Sequence, residues 1–411
     1  MFINPLFCLL MLAVSPGALA VQDPGAAEVQ VETVEARIER LCQEKFDELC
    51  KRADFPGGSL ALVLPGGRKI VVTTGVTDPE GGRALTPKDR LLSGSIGKTY
   101  VAAMALELAG QGRLDLDAQA RSYFEGEKWF GRIANSETVT VRQLLRHESG
   151  IARYVFSPEF WEVLTKQKDK VWKPEELLAY VFDQEPFFAP GDGWAYADTN
   201  YIIVGMILEK LSGETVYGYV QTHFLKPNKL IDTVPSNSRT IPGLIQGHTQ
   251  SFKQFGLPDR VIKNGVFIIN PQFEWCGGGF CNTPMDLAKW ARIYYSGHAS
   301  KVKYLQDLLN TVPTNPRHLG PNSSYGPGLI RRETPLGELR GHDGTMTGYA
   351  SSMGWFPDLD LAIAIQLNMD GDRTIGKPLP VLMIEFAEVA ARELDLIPVK
   401  NQGEKRANRP R

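Results

Sequence analysis

Strand-like segments stand at both ends of the chain, with a long helical stretch between them. Gly58 to Leu64 and Arg68 to Thr74 are short aliphatic or β-branched runs joined by Pro65-Gly66-Gly67, the chemistry of a hairpin. Short strands return at Leu329 to Arg332, Leu339 to Gly341, Ala350 to Phe356 and Leu359 to Leu367, followed by a helix over Leu379 to Leu394. Segments so far apart bury their faces economically by sharing one sheet. From about Asp115 to Cys281 helical patterns dominate, including Pro174 to Phe182, Thr199 to Leu211 and Val216 to Leu225. The expected fold class is therefore α/β (α+β): one sheet drawing on both ends of the chain, with a mainly helical lobe over about 115–281 inserted in it. An N-terminal helical segment occupies 21–54, the main domain 55–396, and a basic flexible tail 397–411.

The chain has 411 residues, 43% hydrophobic and 22% charged, enough for a substantial core and too mixed for disorder. Lys and Arg total 45 against 47 Asp and Glu. That balance leaves no broad positive field for nucleic acid. Residues 1–20 carry no charge, run apolar from Leu6 to Val14 and end in Ala18-Leu19-Ala20, the small-x-small pattern of a signal peptidase site. The expectation is export to a periplasmic or extracellular space, with no stable membrane insertion because the apolar run is short of the ~20 residues a span needs.

Removal of that leader leaves Cys42, Cys50, Cys276 and Cys281, which makes disulfides an expectation in an oxidising compartment. Cys276 and Cys281 flank Gly277-Gly278-Gly279 and are the first choice for a bridge. Cys42 and Cys50 lie in the periodic stretch from Val31 to Arg52, where an unbroken helix separates them by ~12 Å. They pair only if that helix bends or ends early. The six His residues are scattered without CxxC or HxxxH spacing, so no metal site is expected.

The segment Ser93-Gly94-Ser95-Ile96-Gly97-Lys98-Thr99 opens an almost continuously apolar helix, Ile96 to Leu108. A Walker phosphate loop fails because Leu92 stands where its first glycine is required, and a nucleophile elbow fails because Ser93 occupies the first glycine of G-x-S-x-G. The remaining reading is S-x-x-K. One helical turn brings the Lys98 amine to the Ser95 hydroxyl as proton acceptor, at a helix N-terminus with free N–H groups. By itself the pattern also fits an ordinary N-cap serine, and Ser300 to Lys303 repeats it in a polar, unsupported context.

Three motifs in this order, Ser95-Ile96-Gly97-Lys98, Tyr196-Ala197-Asp198 and His342-Asp343-Gly344, make the chain resemble the serine β-lactamase and penicillin-binding superfamily. The likeness is to its class C β-lactamase, DD-peptidase and esterase branch, and extends from about Phe55 to Leu394. Supporting segments are Gln143 to Ile151, Pro190-Gly191, and Gly277-Gly278-Gly279-Phe280 before Asp286-Leu287-Ala288. The resemblance implies a β-lactamase/transpeptidase-like fold, an antiparallel sheet flanked by helices with the cleft between it and the helical lobe, in which Ser95 is acylated, Lys98 and Tyr196 shuttle its proton, and His342 lines the site from an edge strand. It places the oxyanion between the backbone N–H groups of Ser95 and Thr345, with Gly344 keeping the strand clear for substrate. No cofactor is implied. The close grouping of His147, Glu148 and Ser149 is read as a structural loop, with His147 bonded to backbone, because sequence neighbours seldom form a triad.

Two departures colour the expected substrate. Asp198 stands where many relatives carry Asn; near Lys98 a carboxylate favours the ammonium and shifts proton transfer toward Tyr196, although Asp198 also suits a helix N-cap. Asp343 stands where Thr or Ser usually helps hold a substrate carboxylate, and facing the site it would repel one. His342 in place of lysine weakens the fixed positive charge. Asp198, Asp343 and Gly344 are thus the expected substrate-binding positions. The expected function is an exported serine hydrolase acting on an amide or ester of a small molecule or peptide, peptidoglycan-derived peptides among them. The alternative is a penicillin-binding or sensing module of the same fold that does not turn over.

Overall fold

The expected sheet is present, and it draws on both ends of the chain. The computed structural model describes residues 32–53, 55–371 and 375–397. Its main strands are β1 (Gly57–Val63), β2 (Lys69–Gly75), β3 (Val312–Pro313), β4 (Ser323–Gly326), β5 (Leu329–Thr334), β6 (Gly337–Met346), β7 (Tyr349–Phe356) and β8 (Leu361–Leu367). They lie in the order β2-β1-β8-β7-β6-β5-β4-β3, every pair antiparallel. The expected leader (1–20) and all but the first residue of the expected tail (398–411) fall outside the described residues.

Five helices frame the sheet and the cleft: α1 (Val34–Ala53), α2 (Lys98–Gly110), α3 (Asp198–Ser212), α4 (Pro284–Tyr295) and α5 (Leu379–Glu393). In α1 the buried residues Ile38, Cys42, Phe46, Leu49 and Ala53 recur every three or four positions, one apolar stripe laid on the sheet beside α5. The opposite face receives α4. Alternation in β1 and β8 sorts side chains between the two layers. Leu60, Leu62, Ile363, Ile365 and Leu367 face α1 and α5, while Ala61, Ala362 and Ala364 face the other layer, where small side chains admit α4 closely.

α2 is buried on all sides from Lys98 to Leu108. It begins two residues later than the apolar run from Ile96 implied, because Gly94–Gly97 forms a tighter 3₁₀ turn. Gly97 explains that turn: a Cβ there would lie 1.6 Å from the carbonyl oxygen of Gly278, so only glycine lets the two backbones touch. The region between α2 and residue 281 is helical in short pieces, with α3 its longest element and several two-residue strands among them. Among the described residues no helix is long and apolar enough to cross a membrane.

The expected Cys276–Cys281 disulfide is absent: both are buried free thiols, as Cys42 is. Cys276 turns its sulfur onto α3, where a Cβ on Gly205 would meet it at 2.3 Å. Cys281 instead belongs to the short strand Phe280–Asn282, paired on both sides with Leu91–Leu92 and Val234–Pro235. The intervening glycines turn the chain away rather than closing a loop. α1 runs unbroken past Cys42 and Cys50, so that pair stays apart as helix geometry requires.

Phe46 anchors α1, fully buried against Phe55 and Phe386 with ring centroids 6.1 and 5.4 Å away. Phe46→Ala should lower unfolding free energy by about 3–5 kcal/mol, read as a fall in the urea midpoint. A loss under about 1 kcal/mol would show that α1 contributes little to the core.

Candidate active site

The 3₁₀ turn before α2 lifts Ser95 into a cleft while the first residue of α2, Lys98, is fully buried beneath it. Lys98 Nζ donates to Ser95 Oγ at 3.1 Å, to Asp198 Oδ1 at 2.6 Å and to the carbonyl of Gly277. Every proton of the ammonium is therefore committed. Asp198 is the first residue of α3 and does not cap it; Ala197 occupies the cap position. Its second oxygen accepts from Arg153 Nε at 3.0 Å and Nη2 at 2.6 Å.

Two cations thus share one carboxylate. Burial opposes ionisation of Asp198, yet Arg153 and then Lys98 hold it well below the usual carboxylate range. Burial likewise pushes Lys98 down, but the Asp198 charge, helped by Tyr196, outweighs it and leaves Lys98 above its ordinary value. The resting lysine is an ammonium, as the Asp for Asn departure implied.

Tyr196 precedes α3, next to its extended cap residue Ala197. Its ring lies 4.9 Å from Lys98 Nζ and 5.2 Å from the Arg153 guanidinium, both measured to the ring centre. The phenol oxygen is buried and meets no partner at regular hydrogen-bond geometry. Burial raises its pKa, while Lys98 and Ser95 are near enough to pull the other way. His147 packs on the same ring at 4.2 Å and accepts from the backbone N–H of Ala197 through Nδ1. The reading of His147 as a structural residue therefore holds, and Ser149 bonds Asn200 rather than His147.

β6 supplies the opposite wall. A Cβ on Gly344 would stand 1.9 Å from Ser93 O and 3.0 Å from Ser95 N, so glycine alone lets this strand lie against the nucleophile turn. The Thr345 backbone runs beside Gly94, where a Cβ would approach Thr345 N to 2.8 Å. His342 faces the same side as Gly344 and lines the cavity. Contrary to expectation, it sits on an interior strand, since β5, β4 and β3 extend the sheet beyond β6. Its Nδ1 lies 2.6 Å from Asp343 O and its Nε2 2.8 Å from Tyr325 Oη. A carbonyl can only accept, so Nδ1 carries the proton and Nε2 accepts from Tyr325. Burial, with Lys98 nearby, lowers the His342 pKa to about 4, and it is neutral at pH 7.

The expected repulsion by Asp343 needs correction. Successive residues of β6 point to opposite faces, so Asp343 turns away from Ser95 while Gly344 faces it. There it pairs with Arg332 and accepts from Ser352 Oγ at 2.7 Å. Its charge is neutralised by Arg332, which lines the same cavity, rather than being presented to Ser95.

Sequence reasoning missed Arg153 and Glu274. Both line the open cavity of about 1090 Å³ that contains Ser95, Tyr196 and His342. Arg153 carried no motif signal. Glu274 was visible only as an acid inside the otherwise apolar Phe273–Cys276 stretch, three residues before Gly277. An aromatic wall completes the cleft: Trp161 stacks on Phe255 at 4.2 Å, and Phe156 stands 68% exposed. Among the described residues no cluster of His, Cys, Asp and Glu could hold a metal ion.

Comparison with known proteins matches the sequence to the Beta-lactamase family over residues 42–385. Penicillin-binding protein 4* of Bacillus subtilis is 22% identical over 76% of this chain and 67% of its own length. A D-aminopeptidase of Brucella canis is 22% identical over 77% of this chain and 57% of its own. Among solved structures, a D-stereospecific amidohydrolase from Streptomyces sp. superposes with TM-score 0.69 at 26% identity, over 82% of this chain and 97% of that one. The D-amino acid amidase of Ochrobactrum anthropi SV3 gives 0.72 at 22% identity, over 88% and 99%. The fold is that of the β-lactamases and transpeptidases, and the match takes in Ser95, Lys98, Tyr196 and His342 alike: the chain belongs to the Beta-lactamase family and is a serine hydrolase.

Proposed function

We propose that the protein cleaves an amide or ester of a small amino-acid-like molecule or peptide through an acyl-Ser95 intermediate. The observation that carries this is the contact of Ser95 Oγ with Lys98 Nζ at 3.1 Å, with the Tyr196 ring centre 4.9 Å from the same Nζ, in one open cleft. Ser95 Oγ attacks the carbonyl and its proton passes through the Tyr196–Lys98 pair to the departing amine or alcohol. Water then releases the acyl group by the reverse route. Backbone N–H groups of Ser95 and Thr345 receive the oxyanion.

Because Lys98 rests as an ammonium, Tyr196 is the group that moves the proton. The cations on its ring stabilise the transient phenolate. The neutral, doubly bonded His342 offers no fixed charge to a substrate carboxylate, which favours amides and esters over acids such as penicillins. The aromatic wall suits a bulky apolar side chain. D-Amino-acid amides and D-residue peptides, peptidoglycan-derived ones included, fit this chemistry and the named relatives. Export, expected from the leader pattern in residues 1–20, is part of this proposal.

A penicillin-binding or sensing module without turnover is the second reading. The committed Lys98 ammonium favours it, since a poor base slows release of the acyl group. The two readings separate by intact mass. Fluorophosphonate should label the wild type once and Ser95→Ala not at all. An adduct from D-phenylalanine p-nitrophenyl ester should decay within minutes; persistence for hours would favour the sensor, and labelling of Ser95→Ala would refute acylation at Ser95.

The pH dependence follows from the Asp198 charge, which favours the protonated forms of both Lys98 and Tyr196. Asp198→Asn should therefore move the limb on which kcat/KM climbs with pH toward acid, by about one to three units. A limb that stays in place would show that Asp198 does not govern the proton acceptor.

A further inference from the structure

Six carboxyl groups line the cleft, and among the described residues five are ion-paired. Asp198 holds Lys98 and Arg153, and Asp343 holds Arg332. Glu333 lies 3.8 Å from Arg331, Glu385 pairs with Lys45 and Lys377, and Glu388 lies 3.3 Å from Arg392. Among the described residues no salt bridge reaches Glu274, and its Oε2 is buried without any hydrogen bond, on a residue only 9% exposed. Leaving such an oxygen unmet is costly in a finished core and sensible in a receptor.

The backbone around Glu274 is held in a rarely occupied form. Trp275, the next residue, has φ 37° and ψ −112°, a left-handed conformation that a bulky side chain adopts only when its surroundings impose it. This bend places Glu274 on the same wall as Gly277, whose carbonyl receives Lys98. A Cβ on Gly278 would stand 2.6 Å from Glu274 Oε1, so the carboxyl lies flat against bare backbone beside the nucleophile turn. Burial raises its pKa to about 8, against the influence of Lys98, and at neutral pH it waits as an uncharged acid. An arriving ammonium favours the carboxylate, and the acid proton leaves to solvent.

We propose that Glu274 receives the free amino group of the substrate, making the cleft selective for amino-acid amides, esters and peptides whose amine is unblocked near the scissile carbonyl. The proposal rests on the acyl-serine reading and adds a specificity determinant to it. The test compares D-phenylalanine p-nitrophenyl ester with its N-acetyl counterpart in wild type, Glu274→Gln and Glu274→Asp. In Glu274→Gln the ratio of kcat/KM, free amine over N-acetyl, should fall about 10- to 100-fold, the size of a hydrogen bond to a charged group, with the loss carried by KM. Glu274→Asp should recover part of it. An unchanged ratio, whatever the absolute rates, overturns the proposal, because a merely structural carboxyl would weaken both substrates alike. If the wild type hydrolyses neither ester above the Ser95→Ala background, the acyl-serine reading fails instead.

Discussion

A lysine with no exposed surface, tied to a buried aspartate, is the constraint around which this cleft is built. Taking both charges out of water costs several kcal/mol per ion, and removing one partner of such a pair typically costs about 3–5 kcal/mol. The surroundings answer that cost with geometry. Gly277 presents its carbonyl, Ser95 its hydroxyl, and Arg153 shares the aspartate. Elements from four parts of the chain must be in place before the ammonium is satisfied. The same requirement gathers the catalytic groups, so folding and site assembly are one event.

The charge arithmetic of the cleft then sets its chemistry. One aspartate faces two cations, the neighbouring imidazoles of His147 and His342 are neutral, and Glu274 is uncharged at rest. A local excess of positive charge surrounds the phenol of Tyr196, the environment that best supports a developing anion on it or on an oxyanion. Meanwhile the position that would hold an acidic substrate is a histidine locked between Tyr325 and a backbone carbonyl.

Much of the fold could be read from the sequence, because strand and helix signals are local. The hairpin between β1 and β2, the four strands after Leu329 and the buried helix after Ser95 all followed from periodicity and turn chemistry. The motif spacing also singled out Ser95, Lys98, Tyr196 and His342, which the fold brings to one cleft. What escaped were contacts between distant residues. Arg153 meets Asp198 across 45 positions, and Tyr325 on β4 reaches His342 Nε2 past the intervening β5. The expected Cys276–Cys281 bridge failed because flexible glycines permit a loop without specifying its direction. The facing of Asp343 was missed because strand register decides which of two adjacent residues sees the cleft.

The contact of Gly97 with Gly278 carries a mechanical consequence. With no space for even a methyl group between them, the strip bearing the nucleophile and the strip bearing Glu274 to Gly279 cannot slide independently. New selectivity in this enzyme can therefore arise by exchanging side chains, those of the aromatic rim or Glu274 itself, whereas the backbone seam beneath them admits no insertion.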